Sequence, residues 1–159
     1  MGELVDASML KINILLTILM LLSFSVQAEK SEYRSPESVS GAITTTPSQA
    51  KKLFDDGVAF IDVRNPRLYA RGHIPRAFHL DFKHDYDEAK LLAIAEKSQP
   101  IVIYCSGVKC SRSYRASAKA VSWGFQTVHY FRGGIVDWKK AGHPVIVQKT
   151  DEQSSGESR

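Results

Sequence analysis

The chain's two cysteines lie five positions apart in the stretch YCSGVKCSRS (104–113), which also contains Lys109 and Arg112. A thiol is a nucleophile or a metal ligand only as its thiolate, and nearby cations stabilise that form. A pair this close is compatible with a metal site, a structural disulfide or a reactive centre. Two cysteines supply too few ligands for a typical zinc site, and no C-x-x-C or H-x-x-x-H spacing adds more. We therefore expect no metal and no cofactor.

The loop that contains the cysteines lies between a predicted strand and a predicted helix. Residues 101–104 (IVIY) are the most strand-like run of the chain, and a helical pattern extends from Ser113 to Trp123. In an open parallel sheet, sites form where the carboxyl ends of strands meet helix N-termini. The helix's positive end and the loop N–H groups would stabilise the thiolate of Cys105, so we expect it to be reactive. The alternative is a small buried residue that ends a strand.

Short apolar runs and helical patterns alternate along the chain on both sides of this loop. Strands are predicted at residues 58–63, 77–80 and 127–131, and helices at 46–57, 65–72, 85–97 and 133–140. Strands that are apolar throughout and separated by helices indicate a parallel sheet covered by helices on both faces. The sequence therefore predicts one α/β domain.

The N-terminal segment has the features of an export signal. Lys11 precedes an apolar run at residues 12–26, and small residues at Val26 and Ala28 suit cleavage after Ala28. We predict a signal peptide at residues 1–28 and a periplasmic or secreted protein. The run has 15 residues, whereas a bilayer span needs about 20, so we expect the mature form not to be membrane-embedded. An uncleaved anchor stays open, as does a true start at Met9.

Two polar segments flank the predicted domain at residues 42–147. Residues 29–41 (EKSEYRSPESVSG) are predicted to be a flexible linker, and residues 148–159 a disordered tail. Removing Glu3, Asp6 and Lys11 with the signal leaves 20 basic residues of 21 and 15 acidic residues of 17, a net charge of +5. No dense Lys/Arg block is interleaved with aromatic residues, so nucleic-acid binding is not predicted. The mild positive charge favours small anions.

Three motifs together resemble the rhodanese family. They are FIDVRNPRLYARGHIPRAFHL (60–80), IVIYCSGVKCSRS (101–113) and FRGGIVDWKKAGHPV (131–145), in the family's order. The resemblance implies a single rhodanese domain with a three-layer fold. It also implies a sulfurtransferase that accepts sulfane sulfur from a small anion, such as thiosulfate, as a persulfide on Cys105. The sulfur would then pass to a thiol, cyanide or a protein acceptor.

The resemblance also implies roles for other matched residues. The residues implied to bind substrate are Ser106, Gly107, Val108, Lys109, Ser111 and Arg112. The residues implied to support the fold are Asp62, Arg64, His73, Gly133, Gly134 and Trp138. A further cluster of polar residues is expected to lie in a solvated loop rather than to bind metal, and its members are His79, Asp81, His84 and Asp85.

The cysteine loop departs from the family's pattern in two respects. Six residues separate Cys105 from Arg112, so the loop is longer than usual and does not match the related phosphatase motif, which has five. Cys110 is the second departure, and three roles stay open for it: a thiol that resolves the persulfide and releases sulfide, one half of a redox couple, or a bystander. An oxidising compartment permits a disulfide with Cys105. The alternatives to a sulfurtransferase are therefore a thiol–disulfide redox protein or sensor and a non-catalytic binding module.

Overall fold

Strands and helices alternate along the computed structural model, which describes residues 32–148. The strands are β1 (Ile43–Thr44), β2 (Ala59–Asp62), β3 (Phe78–His79), β4 (Ile101–Tyr104) and β5 (Val128–Phe131). The helices are α1 (Pro47–Asp55), α2 (Pro66–Ala70), α3 (Glu88–Leu92), α4 (Arg112–Ser122) and α5 (Gly134–Lys140).

The strands form one parallel sheet with the order β1-β5-β4-β2-β3, and β4 lies at its centre. Ile101 pairs with Ala59 of β2 on one side and with Val128 of β5 on the other. Successive side chains of β4 enter two separate cores because a strand presents alternate residues to opposite faces. Ile101 and Ile103 pack with α3 and α4, whereas Val102 and Tyr104 pack with α1 and α5. Helices therefore cover both faces, and the predicted α/β fold class is confirmed.

Side-chain caps set the start of three helices. Thr46 accepts a hydrogen bond from the backbone N–H of Gln49, and the Gln49 side chain accepts one from the backbone N–H of Thr46, which completes a capping box. The Asn65 side chain accepts a hydrogen bond from the backbone N–H of Leu68 and so caps α2. Asp87 caps α3, so this helix begins at Glu88 rather than at Asp85 and is shorter than predicted. β1 was not predicted, because two exposed residues at a sheet edge carry no apolar pattern.

The N-terminal segment that we expected to be a flexible linker packs on the domain over the part that the structure describes. The Ser35 side chain is 2% exposed and Val39 is also buried. The Ser35 N–H donates to the carbonyl oxygen of Val108 at 2.7 Å, and Arg132 donates to the Ser35 carbonyl oxygen through Nε at 3.1 Å and Nη2 at 2.9 Å. We call residues 33–39 the strap. The linker prediction was wrong here because composition does not reveal these contacts.

Some of the predictions concern residues outside 32–148. The predicted signal peptide at residues 1–28 and the tail after Gln148 lie outside the described residues and stay predictions. Within residues 32–148, no helix combines the length and the apolar character that a membrane crossing requires.

Candidate active site

Cys105 directly follows the central strand β4 and is joined by a disulfide to Cys110. Their Cα atoms are 6.5 Å apart, and the intervening turn is closed by a hydrogen bond from the Cys110 N–H to the Gly107 carbonyl oxygen at 2.9 Å. The two cysteines differ in accessibility, since Cys105 is only 1% exposed whereas Cys110 is partly exposed. The site is thus in its oxidised form, with the buried sulfur covalently capped by the more accessible one.

The start of α5 fixes the backbone of the cysteine loop. The N–H of Ile135 donates to the carbonyl oxygen of Cys105 at 3.0 Å, and the N–H of Val136 donates to that of Ser106 at 3.1 Å. Gly134 has φ +55°, and a Cβ at this position would collide with the Cys105 carbonyl oxygen. Glycine is therefore required at position 134, both for the left-handed backbone and for the close approach of α5 to the loop.

The start of α4 provides positive potential next to Cys110. Ser111 is the N-cap residue of this 11-residue helix, and its side chain makes no capping hydrogen bond. The first N–H groups of a helix have no partner within the helix, and its dipole favours negative charge at this end. The N-terminus of α4 is therefore suited to stabilise a thiolate, a persulfide or an anionic donor at the loop.

A cavity of about 870 Å³ opens over the disulfide. All eight residues predicted as catalytic or substrate-binding line it, namely Cys105, Ser106, Gly107, Val108, Lys109, Cys110, Ser111 and Arg112. Gly133, predicted to support the fold, lines it as well. Six lining residues were not predicted as site residues: Arg34, Asn65, Leu68, Val136, Asp137 and Lys140.

The residues that sequence reasoning missed come from three separate segments of the chain. Asn65 was identified only as a helix cap, although a cap that follows a parallel strand also marks the edge of the sheet where ligands bind. Lys140 and Asp137 lie on α5, whose glycine turn was recognised but was interpreted as structural. Arg34 lies in the strap, and nothing in its sequence surroundings indicates a site.

Basic side chains outnumber acidic ones around the cavity. Asp137 faces four cationic residues in the lining, which are Arg34, Lys109, Arg112 and Lys140. Acidic side chains partly compensate this charge, since Lys140 Nζ lies 3.8 Å from Asp137 Oδ1 and Arg112 Nη1 lies 4.0 Å from Asp81 Oδ1. The cavity nevertheless carries net positive charge and favours an anionic ligand.

Asp62 and Arg64 form a buried ion pair that does not line the cavity. Arg64 Nε donates to both carboxylate oxygens of Asp62, at 2.9 and 3.0 Å, and Nη2 donates to the carbonyl oxygen of Gly72 at 2.8 Å. Burial alone lowers the pKa of Arg64, but the hydrogen bond and the charge of Asp62 outweigh it, so the pKa is raised. The pair ties the end of β2 to the turn before β3.

His73 and Trp138, also predicted to support the fold, lie away from the cavity lining. The ring of His73 stacks on Tyr69 with centroids 3.8 Å apart. Trp138 is fully buried, and its Nε1 donates to the carbonyl oxygen of Pro144 at 2.8 Å. Both side chains therefore contribute packing and backbone contacts at a distance from the cysteines.

The polar cluster that begins at the end of β3 is solvated only in part. Asp81 is 2% exposed, and its carboxylate accepts the backbone N–H of Lys83 at 3.2 Å. His79 Nε2 lies 2.8 Å from the Arg64 carbonyl oxygen. The expectation of a solvated loop was wrong for Asp81, which is buried and lies 4.0 Å from Arg112 Nη1 at the start of α4. In the described part of the chain, no three His, Cys, Asp or Glu side chains are arranged to share a metal ion.

Comparison with known proteins relates this geometry to a family. The family profile for the rhodanese-like domain matches residues 46–141. This range contains β2 to β5, α1 to α5 and the cysteine loop. The strap and Arg34 lie outside the matched region.

Curated relatives and solved structures agree with this match. The thiosulfate sulfurtransferase GlpE of Pseudomonas paraeruginosa is 32% identical over 93 residues, covering 58% of this chain and 80% of the relative. The corresponding protein of Pseudomonas entomophila is 34% identical over 94 residues, covering 59% and 82%. The Alr3790 protein from Anabaena has a TM-score of 0.58 at 27% identity, covering 67% of this chain and 94% of that one.

Proposed function

Because the chain belongs to the rhodanese-like family, we propose that it is a sulfurtransferase in which reduced Cys105 accepts a sulfane sulfur from a small anionic donor. The observation that carries this proposal is the position of Cys105, at the end of the central strand and in a net-positive cavity beside the N-terminus of α4. The relatives described as thiosulfate sulfurtransferases support thiosulfate as the donor to test first.

The first step is a nucleophilic displacement on sulfur. The Cys105 thiolate attacks the outer sulfur of thiosulfate, the donor's S–S bond breaks, and sulfite leaves with the electron pair. Cys105 then carries a persulfide. Lys109 and Arg112 line the cavity, where their charges would stabilise the departing anion together with loop N–H groups.

The second step transfers the terminal sulfur to an acceptor. A thiolate, cyanide or a protein cysteine attacks this outer sulfur, and Cys105 leaves as a thiolate ready for another cycle. In the oxidised form both thiols are joined, so two-electron reduction by an external thiol must precede the first cycle.

Uptake of labelled sulfur tests the role of Cys105. The test uses Cys110→Ser protein as the parent, because it has no second thiol that could remove the sulfur from Cys105. After reduction and removal of small thiols, this protein should gain the mass of one sulfur atom on Cys105 when given thiosulfate with a labelled outer sulfur. Cys105→Ser should gain none. The matched control is Cys105→Ser combined with Ser122→Cys, which restores the number of thiols at an exposed position at the end of α4. Labelling of Cys105→Ser at the parental rate would overturn the assignment.

A thiol–disulfide redox function is the second candidate, and the disulfide itself favours it. Such a protein would cycle between dithiol and disulfide with a physiological thiol partner and would take up no sulfur. The labelling experiment separates the two functions. A protein that takes up no sulfur from thiosulfate, mercaptopyruvate or polysulfide, and whose disulfide resists mild reduction, would instead be a binding module.

Export is a further part of the proposal and is supported by the pattern of residues 1–28. Processing after Ala28 would place the protein in the periplasm or outside the cell, where disulfides persist. Intact mass of the protein from the extracytoplasmic fraction should show a chain that begins at Glu29. A mass that includes the apolar run at 12–26 would indicate an anchor.

A further inference from the structure

We propose that Cys110 resolves the Cys105 persulfide, so that the protein reduces sulfane sulfur to sulfide at the expense of an external dithiol. The inference rests on the proposed function, because it requires the persulfide to form. It adds an activity, the release of sulfide, and assigns a different task to each cysteine.

The two sulfurs are bonded in the structure while the hydrogen bonds that hold the cysteine loop are still formed. With the disulfide closed, the carbonyl oxygens of Cys105 and Ser106 still accept hydrogen bonds from the start of α5. The turn bond from the Cys110 N–H to Gly107 is also present. Closing the pair is therefore compatible with the folded loop and does not require either helix to detach.

The atom that Cys110 would attack is the one to which it is bonded in the structure. In a persulfide, the inner sulfur is Cys105 Sγ and the outer sulfur is the one taken from the donor. Attack by the Cys110 thiolate on Cys105 Sγ forms the disulfide and breaks the persulfide bond. The outer sulfur leaves with the electron pair as hydrosulfide.

The N-terminus of α4 promotes the reactive form of Cys110. Cys110 immediately precedes the N-cap Ser111, and the side chain of Ser111 does not occupy the first-turn N–H groups. Negative charge is stabilised at this end of a helix. A thiolate at position 110 is therefore favoured next to the sulfur that it would attack.

Differences in burial determine how the disulfide is reopened. Cys105 is 1% exposed, whereas Cys110 is partly exposed and lines the cavity. An incoming thiolate can reach the Cys110 sulfur, form a mixed disulfide there and displace Cys105 as a thiolate. A second thiol of the reductant then frees Cys110. The regenerated Cys105 is at once ready for the next donor.

The complete cycle balances in atoms and electrons. Thiosulfate and two thiol groups of the reductant give sulfite, hydrosulfide, one reductant disulfide and a proton. The outer sulfur gains two electrons, and these come from the two reductant thiols. The reductant is a small dithiol or a dithiol protein that shares the compartment.

A single-turnover experiment separates this inference from the proposed function. The reduced protein is freed of external thiols, mixed with thiosulfate, and sampled for sulfite, trapped sulfide and free protein thiols. The wild type should release one sulfite and one sulfide per chain and lose both thiols, at a rate independent of protein concentration. Cys110→Ser should release sulfite but keep its persulfide, with sulfide release reduced at least about ten-fold.

Each other outcome has a distinct meaning. Absence of sulfite from both proteins would refute the proposed function. Sulfite without sulfide from the wild type, with the persulfide retained and Cys110 free, would refute only the role of Cys110. Because the wild-type thiol count needs no variant, the test stands even if Cys110→Ser misfolds, and Cys110→Ala provides a second substitution.

A separate experiment tests which sulfur of the disulfide the external thiol attacks. The oxidised wild type is mixed with a thiol of distinct mass, quenched with acid and mapped by peptide mass spectrometry. The mixed disulfide should lie on Cys110. A mixed disulfide on Cys105 would overturn the assignment of the two tasks.

Discussion

Asp62 and Arg64 form a buried ion pair at the end of β2. Each charge is stabilised in the interior by the opposite charge of the other residue. Replacing Asp62 with alanine would leave the Arg64 guanidinium buried without its carboxylate. We expect the free energy of unfolding to fall by about 3–5 kcal/mol, the usual cost of breaking a buried ion pair by removing one partner. Urea unfolding of the oxidised protein measures this loss.

The control for that substitution is an exposed ion pair. Asp55→Ala removes the partner of Lys51 on α1 and should cost less than about 1 kcal/mol. Sulfur uptake by Asp62→Ala, measured where the variant is still folded, should match that of the parent. Normal stability with lost uptake would instead assign Asp62 to the chemistry and contradict its fold-supporting role.

The cysteine loop was predictable at the residue scale because it is one continuous segment. Its residues follow a strand and precede a helix, so the order of elements alone places Cys105 and Arg112 at the same edge of the sheet. The proximity of Arg112 to buried Asp81 was not predictable from the sequence. It depends on the path of the loop that contains Asp81, about thirty residues earlier in the chain. The disulfide was expected only as a permitted pairing.

At the scale of elements, the strap lies outside the region matched by the family profile but contacts the cysteine loop. Ser35 contacts Val108 on one side and Arg132 on the other, and the Tyr130 hydroxyl donates to the Pro36 carbonyl oxygen at 3.2 Å. Burial raises the pKa of Tyr130, so this hydroxyl keeps its proton at neutral pH. The strap thereby holds Arg34 in the lining of the cavity.

Releasing the strap should weaken both the fold and the binding of the donor. Arg132→Ala removes two hydrogen bonds from a charged donor, each worth about 1.5–3 kcal/mol at most. We expect lower stability, faster amide exchange at Ser35 and a higher KM for thiosulfate. Hydrogen exchange and steady-state kinetics measure these changes.

The matched control for the strap is Arg71→Ala, an exposed arginine that caps the end of α2 through its backbone. It removes the same charge from the protein without touching the strap. Equal effects of the two substitutions would show that overall charge, rather than the strap, governs binding.

The alternation of elements was read from the sequence because continuous apolar runs and helix caps are local signals. Thr46 and Asn65 began their helices as predicted. The packing of the strap and the pairing of β1 with β5 depend on tertiary contacts. Such contacts leave no clear signal in the mostly polar segment EKSEYRSPESVSG (29–41) or in the two exposed residues of β1.

At the scale of the whole molecule, charge is spread unevenly, with four cations against one carboxylate around the cavity. Long-range attraction of this kind raises the association rate of a dianion and is screened by salt, with a Debye length of about 10 Å at 0.1 M. We expect kcat/KM for thiosulfate to fall several-fold between about 0.01 and 1 M salt.

Charge-removing variants test the origin of this salt dependence. Lys140→Gln, in the cavity lining, should flatten the dependence. Lys51→Gln, on α1 and outside the lining, should leave it unchanged. A kcat/KM that does not respond to salt would show that the positive lining has no part in donor capture.

The disulfide between Cys105 and Cys110 also offers protection against irreversible oxidation of Cys105. When peroxide converts the Cys105 thiolate to a sulfenic acid, Cys110 can condense with it, water leaves, and the same bond seen in the structure forms. That reaction competes with further oxidation to the sulfinic and sulfonic acids, which thiols do not reverse. A thiol reductant that opens this disulfide would then restore both thiols after oxidative stress.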